Sequence, residues 1–163
     1  MFKRKSLKLI PILLILSLLM VACGQEANVT ESNPMEYISV EKLMDSINEA
    51  SDEYVMLDVR KVEDYNSGHI KGSYAADVDA ANKGGDDEAG IVNLKNGLLE
   101  ATGSETGNPD DKYVLVCYSG KSYAEKATDL LIEMGLSENQ ILTLEGGMSA
   151  WEEGGQEYTD LIE

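Results

Sequence analysis

The stretch KYVLVCYSGKSYAEKATDLLIEMG, Lys112 to Gly135, decides the architecture of this chain. Its first six residues, Lys112 to Cys117, are aromatic and β-branched around one leucine, the composition of a strand in a buried core. From Lys121 to Met134 the apolar period becomes helical. Ala124, Ala127, Leu130, Leu131 and Met134 fall on one side, and Gly135 supplies a stop. A buried strand that turns tightly into an amphipathic helix is the working unit of an α/β layer structure.

Cys117 sits at that junction. A thiol at the C-terminal end of a buried strand, just before a helix, meets backbone N–H groups that have no helical partner. Those donors and the positive helix end favour negative charge, hence a thiolate nucleophile, and can also hold a persulfide or a bound oxyanion. Tyr118 and Ser119 carry the chain over the turn, and Gly120 lets it take backbone angles closed to other residues. Lys121 adds a cation in an acidic chain, and Ser122 offers a hydroxyl and starts the helix. Ligands of α/β sheets bind at this end of the strands. The bland alternative is an inert buried cysteine acting as a small hydrophobe. Gly120-Lys121-Ser122 also ends like a phosphate-binding P-loop, but that motif needs glycine five positions earlier, where Leu115 stands.

Outward from this unit, strand and helix patterns continue to alternate. Tyr37-Ile38 is a short strand, and Ser39 can cap a helix over Val40 to Glu49 with Val40, Leu43, Met44 and Ile47 on one face. Tyr54 to Val59 is a buried strand, Val62 to Asn66 a short helix, and Ile70 to Ala75 a further strand. Ile141 to Leu144 is a strand again, followed by a helix over Gly147 to Glu153. The stretch from Asp77 to Asp111 resists, with six glycines, one proline and many acids, and a helical pattern only over Ile91 to Leu99. It reads as a functional loop or a mobile insert. Asp77, Asp79 and Glu88 fit three positions of a calcium loop, but Ala81 and Asn82 stand where a ligand and a glycine are needed, so no metal is expected.

The 163 residues suit one domain preceded by targeting. Acidic residues outnumber basic ones 30 to 13, a formal charge of -17, which excludes nucleic acid as a partner. Lys3 to Lys8 form a cationic start, and Leu9 to Ala22 an apolar run too short to span a membrane, which takes about 20 residues. The run ends in Val21-Ala22-Cys23-Gly24, which resembles a bacterial lipoprotein signal. That resemblance implies removal of residues 1–22, lipid on Cys23, a polar tether over 23–35, and a protein held to the outer face of a bacterial membrane by the lipid alone. The Asn28-Val29-Thr30 sequon is incidental in that setting. With Cys23 lipidated, Cys117 is the one thiol left, and a lone thiol in an exported chain asks for a function.

Four motifs in order then resemble the rhodanese-like domain: Leu57-Asp58-Val59-Arg60, Gly68-His69-Ile70-Lys71-Gly72-Ser73, Val116 to Ser122, and Leu144-Glu145-Gly146-Gly147-Met148-Ser149-Ala150-Trp151. The resemblance implies a domain over 36–160 with a central, mostly parallel sheet flanked by helices, and an acidic, glycine-rich insert at 78–108 able to meet a protein partner. It implies that Cys117 takes a sulfane sulfur from a small donor, becomes a persulfide, and passes the sulfur to a thiol or other nucleophile without a cofactor. A six-residue loop, Cys117 to Ser122, goes with sulfur chemistry, and longer loops with phosphate or arsenate. Many thiosulfate-using members end the loop in arginine, and Lys121-Ser122 departs from that, leaving a relay that works only with a partner as a second reading. Asp58 and Arg60 are expected to pair and support the loops. His69 is expected to be structural, and Trp151 with Gly146 and Gly147 to pack the last helix.

Overall fold

A computed structural model of the protein describes residues 35–163. The signal at 1–22, Cys23, the Asn28 sequon and all of the tether before Met35 lie outside the described residues. In chain order the elements are β1 (Glu36–Ile38), α1 (Val40–Asn48), β2 (Tyr54–Asp58), α2 (Val62–Ser67), β3 (Tyr74–Ala75), α3 (Asp79–Gly84), α4 (Asp87–Thr102), β4 (Lys112–Val116), α5 (Ser122–Glu133), a 3-10 turn (Glu138–Gln140), β5 (Ile141–Leu144), α6 (Gly147–Glu153) and α7 (Gln156–Thr159). The five strands form one sheet in the order β1-β5-β4-β2-β3, and every neighbouring pair is parallel.

β4 lies at the centre of this sheet and is covered on both faces. Tyr113, Leu115 and Cys117 point into a core shared with α3, α4 and α5, while Val114 and Val116 point into one shared with α1 and α6. The period-two alternation of side chains along a strand makes this division, and a centre strand of a parallel sheet needs apolar residues on both sides. The helical stripe of α5 falls where its spacing put it, with Ala124, Ala127, Leu130 and Leu131 against the sheet. Ser39 caps α1, its hydroxyl oxygen accepting the Lys42 N–H at 3.2 Å.

The expectation of a loop or insert between residues 77 and 111 is corrected by the structure. Most of that stretch is helix, and it belongs to the core. α3 and α4 cover one face of the sheet, and α4 turns Gly90, Leu94, Gly97 and Leu98 inward along a single stripe. Two glycines on that stripe permit close approach. A Cβ at Gly90 would lie 2.8 Å from both Ala81 and Leu130, and one at Gly97 would lie 2.9 Å from the carbonyl oxygen of Ala75. Gly85 and Gly103, both left-handed, end the two helices.

Two smaller differences concern the edges. The strand expected over Ile70 to Ala75 pairs only at Tyr74 and Ala75, because Ile70 is bridged antiparallel to Ile162 instead. Beyond Glu153 the chain adds α7, whose Tyr158 carbonyl accepts the buried Trp151 indole N–H at 2.9 Å. The final residues then clasp the turn after α2, His69 and Glu163 exchanging both backbone hydrogen bonds at 3.0 Å.

Because Leu94 is fully buried, Leu94→Ala should lower the unfolding free energy by about 2–5 kcal/mol. Urea denaturation followed by circular dichroism measures this, and a loss near zero would return the segment to the status of a loop.

Candidate active site

The site is assembled where β4 ends. Cys117 is the residue after the last strand position, and Tyr118 to Lys121 arch over to Ser122, the first residue of α5. The Cys117 sulfur stays beneath that arch, accepting the Gly120 N–H at 3.1 Å. Gly120 has φ +67, the left-handed region in which glycine carries no steric penalty. A side chain there would also meet the Leu144 carbonyl oxygen at 2.7 Å.

The loop rests on the first turn of α6. Met148 N–H donates to the Cys117 carbonyl at 2.7 Å, and Ser149 donates to the Tyr118 carbonyl from its backbone N–H (3.1 Å) and its hydroxyl (2.9 Å). Gly147, also left-handed, lets the backbones touch. A Cβ on it would collide with the Cys117 carbonyl oxygen and come within 2.7 Å of Ser119 N and 2.8 Å of Gly120 N. Sequence reasoning gave Gly146 and Gly147 to helix packing and missed this role as the floor of the loop. The double glycine next to a strand end was the available signal.

The Cys117 and Tyr118 carbonyls are thus taken by α6, and of the loop N–H groups Gly120's points at the sulfur. Ser119 and Lys121 N–H find no acceptor among the described residues. The opening N–H groups of α5 have none within the helix, and no side chain caps it. Negative charge on sulfur, or on an oxyanion beside it, would meet several donors and a helix N-terminus together. Cys117 is only 1% exposed, and Ser119, Lys121 and Ser122 form the exposed part of the loop above it. The Lys121 ammonium makes no ion pair among the described residues. The 140 Å³ cleft beside Ser122, lined also by Asn82, Glu125, Lys126 and Asp129, is small and does not include Cys117.

Asp58 and Arg60 pair as expected. Arg60 Nε donates to Asp58 Oδ1 at 3.0 Å and its Nη2 to Oδ2 at 2.7 Å, a two-point bond within the buried interior. Nη2 also donates to the Gly68 carbonyl at 2.8 Å, which fixes the turn carrying His69. Burial works against the guanidinium charge, but the bond and attraction to Asp58 outweigh it and hold the group protonated. His69 is structural: Nδ1 lies 3.0 Å from the Tyr65 carbonyl and its ring stacks on Tyr65 at 3.8 Å.

Tyr118 ties the loop to α2. Its hydroxyl donates to Asp64 Oδ2 and accepts the Lys61 N–H at 3.3 Å. Burial first, and the bond to Asp64 second, push its ionisation up to about 12. It is a neutral strut between the loop and α2. Its ring meets that of Tyr123 edge-on at 5.0 Å, and the Tyr123 hydroxyl donates to Asp79 Oδ1.

A family model for the rhodanese-like domain matches residues 39–154. Among solved structures, the chain is similar to the rhodanese-like domain of an Anabaena protein, with 19% identity over 80% of each chain and a TM-score of 0.56. It is also similar to a human single-domain sulfurtransferase, with 18% identity over 76% of this chain and all of that one, TM-score 0.53. A third similar structure is a Rhodopseudomonas palustris protein described as a possible tyrosine phosphatase, with 20% identity over 75% of this chain and 83% of that one, TM-score 0.51. At these identities the likeness concerns the fold. No curated protein matches the chain.

The Asp58–Arg60 pair gives the sharpest test of this framework. Arg60→Met leaves a buried carboxylate unpaired and should cost about 3–5 kcal/mol in denaturant titration. The double variant Asp58→Leu/Arg60→Met should regain most of it. A double variant as unstable as the single would mean that the Gly68 contact, not the pair, is what matters.

Proposed function

This chain belongs to the rhodanese-like domain family, and from that premise we propose that it is a sulfurtransferase with Cys117 as the sulfur-accepting nucleophile. The carrying observation is the buried Cys117 sulfur, which accepts the Gly120 N–H at 3.1 Å inside the loop that leads into the uncapped start of α5. The Cys117 thiolate attacks the outer sulfur of a thiosulfate-like donor. A new S–S bond forms, the donor's S–S bond breaks, and sulfite leaves with the electron pair. The loop amides then hold the terminal sulfur anion of the persulfide. An acceptor thiolate attacks that terminal sulfur, and Cys117 departs as thiolate, ready for another cycle. No step needs a metal or an organic cofactor.

Loop length favours sulfur over phosphate. Six residues from Cys117 to Ser122 make a shorter loop than phosphate chemistry takes, while Lys121, a point charge without a planar fork, docks an oxyanion donor more loosely than arginine would and leaves the donor's identity open. The reading extends to location: acyl chains on Cys23 hold the mature protein to the outer face of the membrane, since two chains anchor stably where one is marginal.

Incubation with thiosulfate, free of reducing agent, should add one sulfur atom to Cys117 in intact mass spectra, and Cys117→Ser should abolish the adduct. Absence of any adduct, or turnover of an aryl phosphate by the same preparation, would overturn the assignment. For the location, Cys23→Ser expressed in a bacterial host should move the protein from the membrane pellet to the soluble fraction. Continued membrane association would argue for an uncleaved apolar anchor.

A further inference from the structure

We propose that Asp79 is a positioning residue for sulfur transfer, setting the first turn of α5 and the donors around Cys117 through its bond to Tyr123. The proposal rests on the sulfurtransferase reading above and adds a residue outside the four motifs to its machinery.

The need for such a tie follows from how α5 begins. Its N-cap position is Lys121, which contributes no side-chain hydrogen bond, so local capping does not fix the direction of the first turn. The exposed Ser122 hydroxyl does not fix it either. Tyr123, the second residue of α5, is buried in the same apolar cluster as Cys117 and sends its hydroxyl outward to Asp79 Oδ1. That bond joins α5 to the opening residue of α3.

Asp79 is itself held from several directions. Lys83 Nζ lies 3.1 Å from Oδ1 and Lys61 Nζ 3.5 Å from Oδ2. Its backbone N–H donates to Asp77 Oδ1 at 2.7 Å, and Asp77 Oδ2 accepts the Val62 N–H at 3.0 Å. The Tyr123 bond first, and Lys83 with it, keep the Asp79 carboxyl below the usual range, so it stays an acceptor at neutral pH. Lys61 closes the circuit, because its N–H donates to Tyr118 OH and Tyr118 packs edge-on against Tyr123. The two tyrosines on either side of the loop's exposed crest are thus pinned at their outer ends by Asp64 and Asp79. A change at Asp79 reaches the sulfur through Tyr123 without touching substrate.

Four variants separate a bond from a charge and from mere stability: Tyr123→Phe, Asp79→Ala, Asp79→Asn, and Tyr123→Phe combined with Asp79→Ala. Persulfide formation from thiosulfate and its discharge to a small thiol are followed in single turnover, beside steady-state kinetics and thermal melting of the full chain. Tyr123→Phe and Asp79→Ala should each slow sulfur transfer about tenfold, the rate equivalent of one hydrogen bond to a charged group, with KM little changed. The double variant should be no slower than either single one. Asp79→Asn, whose amide oxygen still accepts the hydroxyl, should recover most of the rate. Wild-type rates in all four, losses that track the melting temperature, or an Asn variant as slow as Ala would overturn the proposal. A wild-type chain that takes up no sulfur would bring down the sulfurtransferase reading along with it.

Discussion

The site depends on where the backbone polar groups of one loop go. The carbonyls of Cys117 and Tyr118 are taken by N–H groups at the start of α6. A buried carbonyl without a partner is costly, and so is an unpaired helix-start N–H, so each solves the other's problem. The result is a loop held on α6 by two carbonyls while its Gly120 N–H is turned to the sulfur. This works only if α6 comes close enough for backbone to touch backbone, and a Cβ on Gly147 would forbid it. The surroundings of the Cys117 sulfur are therefore set by main-chain geometry, with side chains arranging that geometry from a distance.

Much of this was legible in the sequence. The β4–loop–α5 unit could be read because a continuous aromatic and β-branched run gives way to a helical period at the point where the thiol stands. The Asp58–Arg60 pair and the structural role of His69 followed from motif context. What escaped was the stretch from 77 to 111, and the reason is physical. Glycine in a helix normally weakens it, so Gly90 and Gly97 counted against a helix. Here they sit on the buried stripe with Leu94 and Leu98, where the space for a side chain is already filled by Ala81, Leu130 and the Ala75 carbonyl. Single-sequence periodicity weighs apolar bulk and has no means of scoring a missing side chain as packing. The role of Gly147 was hidden for the same reason.

Charge is distributed to suit this design. The folded part is strongly acidic, yet the only arginine among the described residues is spent inside, neutralised by Asp58. Lys61 and Lys83 share Asp79, while Lys121 at the loop has no ion-pair partner among the described residues. An anion approaching the sulfur meets oriented amides and one flexible ammonium rather than a dense cationic patch.

The pairing of the chain's distant parts bears on how the protein is made. β1 pairs with β5, and His69 pairs with Glu163, so residues near both ends of the folded region complete the same body. Such non-local contacts fold slowly, because long loops must close before the contacts repay the lost entropy. A nascent chain cannot finish its sheet until β5 has emerged, nor lock the turn after α2 until residues 161–163 are free. Release of residues 161–163 would therefore free the turn that carries His69 while leaving the pairing of β1 with β5 in place.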